Sequence, residues 1–407
     1  MKQDLDRLMR GRGIDALVVT GTPKTSRDLF YFTGPVSIMG ARLVKKAGDE
    51  PTLVVGGMER DEAAKSGLRV MTGADLGLME VYRSAANPLD AGVKSFLRIF
   101  EALGITGTVA FYGTDDIPYS HALLGAIERE GTVKVVAEAY DSILSEARMT
   151  KDNREIDRIE SVSLRAQQVM TAVRRFLNSC TERNGAIVDA ACEPVTIGGV
   201  KDLIRRETEA RGMVLDEPVI FSQGRDSAIP HSRGDDTAVL VPAKTIVFDY
   251  CPQEEGPGYF CDITRTWCLG TVPDGVMEIY DQVFEIQEKV VGMLAVGGVC
   301  SSYDEVTNEY FAKHGHPTLF QGTGQTEGYV HSLGHGIGIE VHERPRLSAF
   351  SKNDERLAPG HVFTVEPGLY YPDREVGVRI EDDIAIREDG TVVNLTNVSK
   401  DILIRLS

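Results

Sequence analysis

The sequence has one tryptophan in 407 residues and no cysteine before residue 180. Its six cysteines (Cys180, Cys192, Cys251, Cys261, Cys268 and Cys300) show no CxxC pair, which argues against a zinc ribbon, a dithiol redox motif or a disulfide frame. They read as small buried residues of a protein in a reducing compartment. No apolar run approaches the roughly 18 residues that a membrane span needs. The N-terminus is charged from its first residues and lacks an apolar h-region, so no signal peptide is expected and the expected location is cytoplasmic. Positive charge is also scarce. The formal net charge is −17, with 18 Lys and Arg against 20 Asp and Glu over residues 1–150, and 26 against 41 over residues 151–407. An acidic chain argues against a nucleic-acid partner, although most of the excess needs no reason beyond solubility.

A chain of this length predicts two domains. Over the first 145 residues short apolar runs alternate with helical patterns. Strands are expected at 15–20, 41–45, 51–56, 107–112 and 133–136, and helices at 87–103 and 120–130. This is an α/β pattern. No glycine-rich phosphate loop follows any of these strands, so a nucleotide site is not expected. A polar stretch ending at Asn153 leads into a long helix with Thr150 or Asp152 as cap. Its apolar stripe runs Ile156, Ile159, Val162, Ala166, Val169, Val173 and Phe176. The boundary falls here, giving domains 1–147 and 148–407. The second domain has a helix at 196–211 and strands at 218–221, 238–241, 246–249 and 259–267. Helices at 274–294 and 302–314 follow, then strands at 362–370, 377–387 and 401–406. Helices grouped between strand-rich stretches indicate an α+β domain with curved antiparallel sheets.

Chemistry concentrates between Val330 and Glu343, where His331, His335 and His342 stand among interleaved glycines. Imidazole is a good ligand for first-row metals, and glycine lets backbone approach a ligand closely. Four carboxylates lie in otherwise apolar, strand-like contexts: Asp249, Asp262, Glu366 and Glu381. Burying them is costly unless they are paired or bind metal. Each has a plain alternative, such as a turn for Asp249 or an ion pair with Arg379 for Glu381. Taken with His335 they form an oxygen-rich donor set suited to two divalent ions, Mn²⁺ or Co²⁺ first, with Fe²⁺ and Zn²⁺ also compatible.

These motifs, spread in order from Arg154 to about Thr396, resemble the pita-bread-fold metallopeptidases, the creatinase, aminopeptidase P and prolidase family. The first domain resembles the α/β creatinase-type N-terminal domain of its proline-specific members. The resemblance implies metal ligation by Asp249, Asp262, His335, Glu366 and Glu381. It also implies a substrate-binding role for His231, 18 residues before Asp249, and contact of His342 with the scissile amide. His331 becomes an accessory catalytic histidine, and Glu366 the group that takes a proton from water and passes it to the leaving nitrogen. Arg346 matches an arginine that could hold a substrate carboxylate, and Arg379 is expected to orient Glu381. The implied activity is two-metal hydrolysis of an Xaa-Pro bond in a small peptide, as a dipeptidase, by a protein expected to be a homodimer.

The sequence departs from the family after the first aspartate. Asp249-Tyr-Cys stands where a glycine usually follows two residues on, and Asp262 comes 13 residues later, a longer gap than usual. The added Gln253–Gly258 segment bears on substrate preference. Three alternatives stay open at this point: an Xaa-Pro aminopeptidase, a small-molecule C–N hydrolase or metal-dependent lyase on the same scaffold, and a non-catalytic binding module, against which the complete ligand set argues.

Overall fold

The computed structural model describes residues 4–256, 258–322, 324–350 and 355–407, so the first N-terminal residues and Pro257 of the added segment lie outside it. The chain divides into two compact units, Met1–Arg148 with Gly256–Gly258, and Met149–Glu255 with Tyr259–Ser407.

The first unit is built on a six-stranded mixed sheet. Its strands are β1 (Ala16–Gly21), β2 (Ala41–Lys46), β3 (Thr52–Val55), β4 (Arg69–Thr72), β5 (Gly107–Gly113) and β6 (Val133–Val136), in the order β4-β3-β2-β1-β5-β6. β1, β5 and β6 run parallel, while β2 runs antiparallel to its two neighbours. The helix Pro88–Leu103 shows how local chemistry sets the ends. The Asn87 side chain accepts from the Asp90 N–H, Pro88 occupies the first turn, and Gly104 closes the helix at φ +61°. Val93, Phe96, Ile99 and Phe100 are buried from this helix against Val18, Val44, Val54 and Val109 of the sheet.

The second unit opens with the helix Asn153–Asn178. Of the two expected caps, Asp152 is the one used, in a reciprocal capping box with Glu155. The predicted apolar stripe is buried from Ile156 to Val173. The strands are β7 (Thr181–Arg183), β8 (Ala186–Val188), β9 (Met213–Val214), β10 (Ile220–Gln223), β11 (Thr245–Tyr250), β12 (Gln253–Glu254), β13 (Ile263–Leu269), β14 (Gly334–Gly336), β15 (Glu343–Leu347), β16 (Val362–Val365), β17 (Gly368–Tyr371), β18 (Val376–Arg379), β19 (Asp382–Ile386), β20 (Val392–Asn394) and β21 (Leu403–Ile404). Two larger sheets carry the unit, β10-β11-β13-β21 and β15-β14-β16-β19-β20. The long helix and Ile197–Glu209 bury Val169, Val173, Val200 and Ile204 with Phe221, Ile246, Phe248 and Trp267. Helices Val276–Met293 and Cys300–Lys313 bury Val283, Ile286 and Phe311 with Phe363, Val365, Val378 and Ile384.

Three expectations change. Residues 238–241 form no strand; Val239 makes a single bridge to Thr196. The run 362–370 is two strands, broken at Glu366-Pro367, and 377–387 is two strands, broken at Ile380-Glu381. Proline lacks the N–H that would continue the ladder, so the chain changes sheets there. The base of the added segment is anchored: β12 pairs with β9, and Arg158 Nη2 donates to Glu254 Oε2 at 2.6 Å.

Lys151, just before the long helix, reaches the histidine-bearing segment. Its Nζ donates to Glu343 Oε2 at 2.7 Å with both side chains 2% exposed, and the other Glu343 oxygen accepts from the Ile339 and Glu340 N–H groups. Removing Lys151 takes away a buried counter-charge of Glu343. Lys151→Met should therefore lower stability by about 3 kcal/mol, and adding Glu343→Gln should recover part of that loss. The single tryptophan, Trp267, lies in this unit and is buried, so denaturant unfolding followed by its fluorescence reads the effect. A double variant no more stable than Lys151→Met would contradict this account.

Candidate metal centre

Two antiparallel ribbons deliver the carboxylates. In the first, Asp249 of β11 lies opposite Thr264 of β13. Tyr250 faces Ile263, and a further bridge joins Gln253 to Phe260. The register therefore carries through the residues between, and Cys251 lies opposite Asp262. Side chains alternate along a strand, so Asp249, Cys251, Asp262 and Thr264 share one face. Tyr250, Cys261 and Ile263 take the other and enter the core. In the second ribbon β16 pairs with β19 and β17 with β18 in one continuous register. Glu366 and Glu381 face one another at the step between the two pairs. The ribbons join where the Glu381 N–H donates to the Thr264 carbonyl at 3.1 Å.

His335 comes from β14, the strand next to β16. Its N–H donates to Thr364 Oγ1 at 3.1 Å, and the Glu366 N–H donates to the Leu333 carbonyl at 2.8 Å. The flanking glycines serve strand packing more than ligand approach. A Cβ at Gly334 would lie 2.1 Å from the Thr364 carbonyl oxygen, and one at Gly336 would lie 2.0 Å from that of Arg344.

Donor atoms of Asp262, His335 and Glu381 all lie within 4.8 Å of one another. His335 Nε2 is 3.5 Å from Glu366 Oε1 and 3.9 Å from Asp262 Oδ2. His335 Nδ1 faces the Gly336 carbonyl at 3.1 Å and so carries the proton. The Nε2 lone pair therefore points at carboxylate oxygens. Protonation would relieve this, but burial holds the imidazole neutral, down to about 3. Burial, reinforced by the neighbouring carboxylates, pushes Asp262 and Glu366 well above the usual range and Glu381 up to about 8. Asp262 Oδ1 is buried and has no hydrogen-bond partner among the described residues. Lone pairs and acids converging on one point, one of them orphaned, fit a divalent cation and little else.

A string of hydrogen bonds braces the cluster. Arg379 donates from Nη2 to Asp249 Oδ2 (2.6 Å), from Nε to Thr264 Oγ1 (3.1 Å) and from Nη1 to Tyr370 Oη (2.7 Å). Arg379 thus grips Asp249, and it is Thr264 that donates to Glu381 Oε2 at 2.6 Å; the expected direct pairing of Arg379 with Glu381 is replaced by this relay. Tyr370 Oη in turn meets His331 Nε2 at 2.9 Å, and His331 Nδ1 faces the Ser332 carbonyl at 2.8 Å. Both His331 nitrogens are engaged, and burial holds the ring neutral, down to about 4.

His342 is exposed, with its ring centroid 4.4 Å from that of His335. His231 is exposed in a turn. Arg346 is the cross-strand partner of His335 and so leaves the sheet on the same face, exposed to solvent. The sequence reading missed Thr264, Tyr370 and Asp383. Asp383 is buried and accepts the Asp262 N–H at 3.0 Å. Thr264 was within reach, since it lies two residues from Asp262 on a strand. Tyr370 looks like any core aromatic.

The profile of metallopeptidase family M24 matches residues 157–388. The Xaa-Pro dipeptidase of Pyrococcus furiosus is 27% identical over 407 residues, covering 99% of this chain and 100% of that protein. Among solved structures, an Xaa-Pro dipeptidase from Bacillus anthracis superposes with a TM-score of 0.77 at 22% identity, covering 100% of this chain and 99% of that one. An X-Pro aminopeptidase from Thermotoga maritima does so with a TM-score of 0.75 at 24% identity, covering 98% and 99%. These likenesses give the fold as the pita-bread fold preceded by an α/β N-terminal domain. With more than half of its length matched by the profile, this chain belongs to metallopeptidase family M24.

Proposed function

We propose that this protein is an Xaa-Pro dipeptidase that uses two divalent ions, Mn²⁺ or Co²⁺, held by Asp249, Asp262, His335, Glu366 and Glu381. The observation that carries the reading is the bare His335 Nε2 aimed at buried carboxylates. The end-to-end match to an Xaa-Pro dipeptidase supports it. When bound, such ions would activate water near neutral pH and polarise the substrate carbonyl. Glu366 takes the proton of the attacking water and passes it to the proline nitrogen. That nitrogen is a tertiary amide without its own hydrogen, so it needs the proton to leave. His342, at the exposed edge of the site, donates to the carbonyl oxygen as negative charge develops there. His331 has no free N–H in this arrangement and acts by holding Tyr370 and, through it, Arg379. His231 binds substrate. Arg346 holds the C-terminal carboxylate, and this contact limits substrates to dipeptides. The six free cysteines fit the reducing, cytoplasmic setting read from the sequence, and the homodimer implied by the resemblance is part of the same reading.

Ala-Pro should be cleaved and Ala-Pro-Ala spared, and only after Mn²⁺ or Co²⁺ is added to metal-free protein. Preferential cleavage of the tripeptide would move the assignment to an aminopeptidase. Cleavage of neither, with metal bound, would point to non-peptide substrates. Arg346→Ala should raise KM for the dipeptide by about tenfold to a hundredfold. Glu366→Gln should lower kcat by roughly 10²- to 10⁴-fold; near-normal kcat would remove Glu366 from proton transfer.

The acids also set a pH signature. The Glu381 carboxyl is raised to about 8 in the metal-free fold, so between its ordinary range and about 8 the folded state holds a proton that the unfolded chain has released. That stabilisation is fully present at acid pH and lost as pH rises through about 8. Asp262 and Glu366 act in the same direction. Bound cations offset the charge, so saturating Mn²⁺ should raise the unfolding temperature more at about pH 8 than at about pH 6. A smaller rise at the higher pH would contradict the ligand assignment.

A further inference from the structure

We propose that Cys251 is a sulfur donor to the metal centre and sets its preference among divalent ions. The inference rests on the metal reading of Asp249 and Asp262. Cys251 occupies the position two residues after Asp249, where the sequence departs from the glycine of the resemblance, and the register places it opposite Asp262. The Cys261 N–H donates to the Pro252 carbonyl at 3.2 Å. That makes Pro252 and Cys261 a hydrogen-bonded pair, and the next pair along, Cys251 and Asp262, a non-hydrogen-bonded one. Side chains approach most closely in pairs of this second kind.

The thiol is half-buried, and alternation along the ribbon puts it on the face that carries Asp249, Asp262 and Thr264. The orphaned Asp262 Oδ1 belongs to its cross-strand partner. The other cysteine of the hairpin, Cys261, lies on the opposite face and is packed in the core. The hairpin therefore turns one cysteine to the face of the acids and the other into the core.

A thiolate is a soft ligand that favours Zn²⁺ and Co²⁺ over Mn²⁺. When such an ion is held by Asp249 and Asp262, Cys251 Sγ forms a bond to it and its proton passes to solvent. The four carboxylates and His335 remain sufficient to retain an ion without the sulfur. The thiol changes which ion is preferred; it does not create the site.

The test is the electronic absorption of the full-length protein loaded with Co²⁺. The wild type should show a near-ultraviolet sulfur-to-cobalt charge-transfer band. Cys251→Ser should lose that band while still binding cobalt, and Cys261→Ser should keep it. The preference for Zn²⁺ over Mn²⁺, measured by competition, should fall about tenfold or more in Cys251→Ser. Cobalt bound by the wild type without the band overturns the proposal and leaves the centre standing. A band that survives Cys251→Ser, or in Cys251→Gly should the serine variant not fold, also overturns it. Failure of the wild type to bind cobalt at all overturns the centre and the proposal together.

Discussion

Acidic side chains converging where water cannot solvate them are the constraint on which the second unit depends. Two like charges about 4 Å apart repel by about 4 kcal/mol at an effective dielectric constant near 20. Donor atoms of Asp262, His335 and Glu381 lie within 4.8 Å of one another and Glu366 Oε1 is 3.5 Å from His335 Nε2, so ionising these acids together would meet repulsion of that order. Arg379 contributes one positive charge, and it is spent on Asp249. Hydrogen bonds from Thr264 and from backbone groups soften the repulsion without removing it. Folding alone gives these groups no reason to meet. The sheets force the meeting, and a bound divalent cation would make it favourable.

The sheets can do so because two ribbons hold their register across interruptions. Glu366 and Glu381 remain opposite one another although the strands on either side belong to different sheets. In the first ribbon the pairing continues beyond β11 and β13 to the bridge between Gln253 and Phe260. The second brace is the run from His331 through Tyr370 and Arg379 to Asp249, in which each donor has one acceptor within about 3 Å. A site assembled this way is positioned before any substrate arrives, which is the condition under which fixed donors are most useful.

Much of this was legible in the residues. Periodicity located the long helix and its buried stripe, and an apolar run located the strand that carries Asp249, whereas the strand expected from 259 begins only at Ile263, just after Asp262. Charge in apolar strands marked all four acids, because burial makes such charge costly and therefore meaningful. The breaks at Glu366-Pro367 and Ile380-Glu381 were not read, although Pro367 and the run Glu381-Asp382-Asp383 interrupt the apolar pattern at both places. Residues 238–241 also read as a strand; their backbone bonds to Ile187, Val195 and Ile197, but the pairing with Thr196 is one bridge long and makes no ladder. Arg379 was assigned to the nearest acid in sequence, Glu381, whereas a long guanidinium side chain crosses to the neighbouring ribbon. Tyr370 carried no signal because an aromatic residue on a strand is ordinarily core.

The ribbon that ends in β17 and β18 turns over at Pro372–Glu375, beyond the facing pair of glutamates. Whatever is added to or removed from that tip leaves Glu366 and Glu381 opposite each other. The loss of one residue between Glu366 and the tip would instead shift one edge of the ribbon against the other and turn its side chains to the wrong face. Length variation among relatives should therefore be tolerated at the tip and excluded from the few residues behind it, so that this hairpin can diverge in reach while its root stays constant.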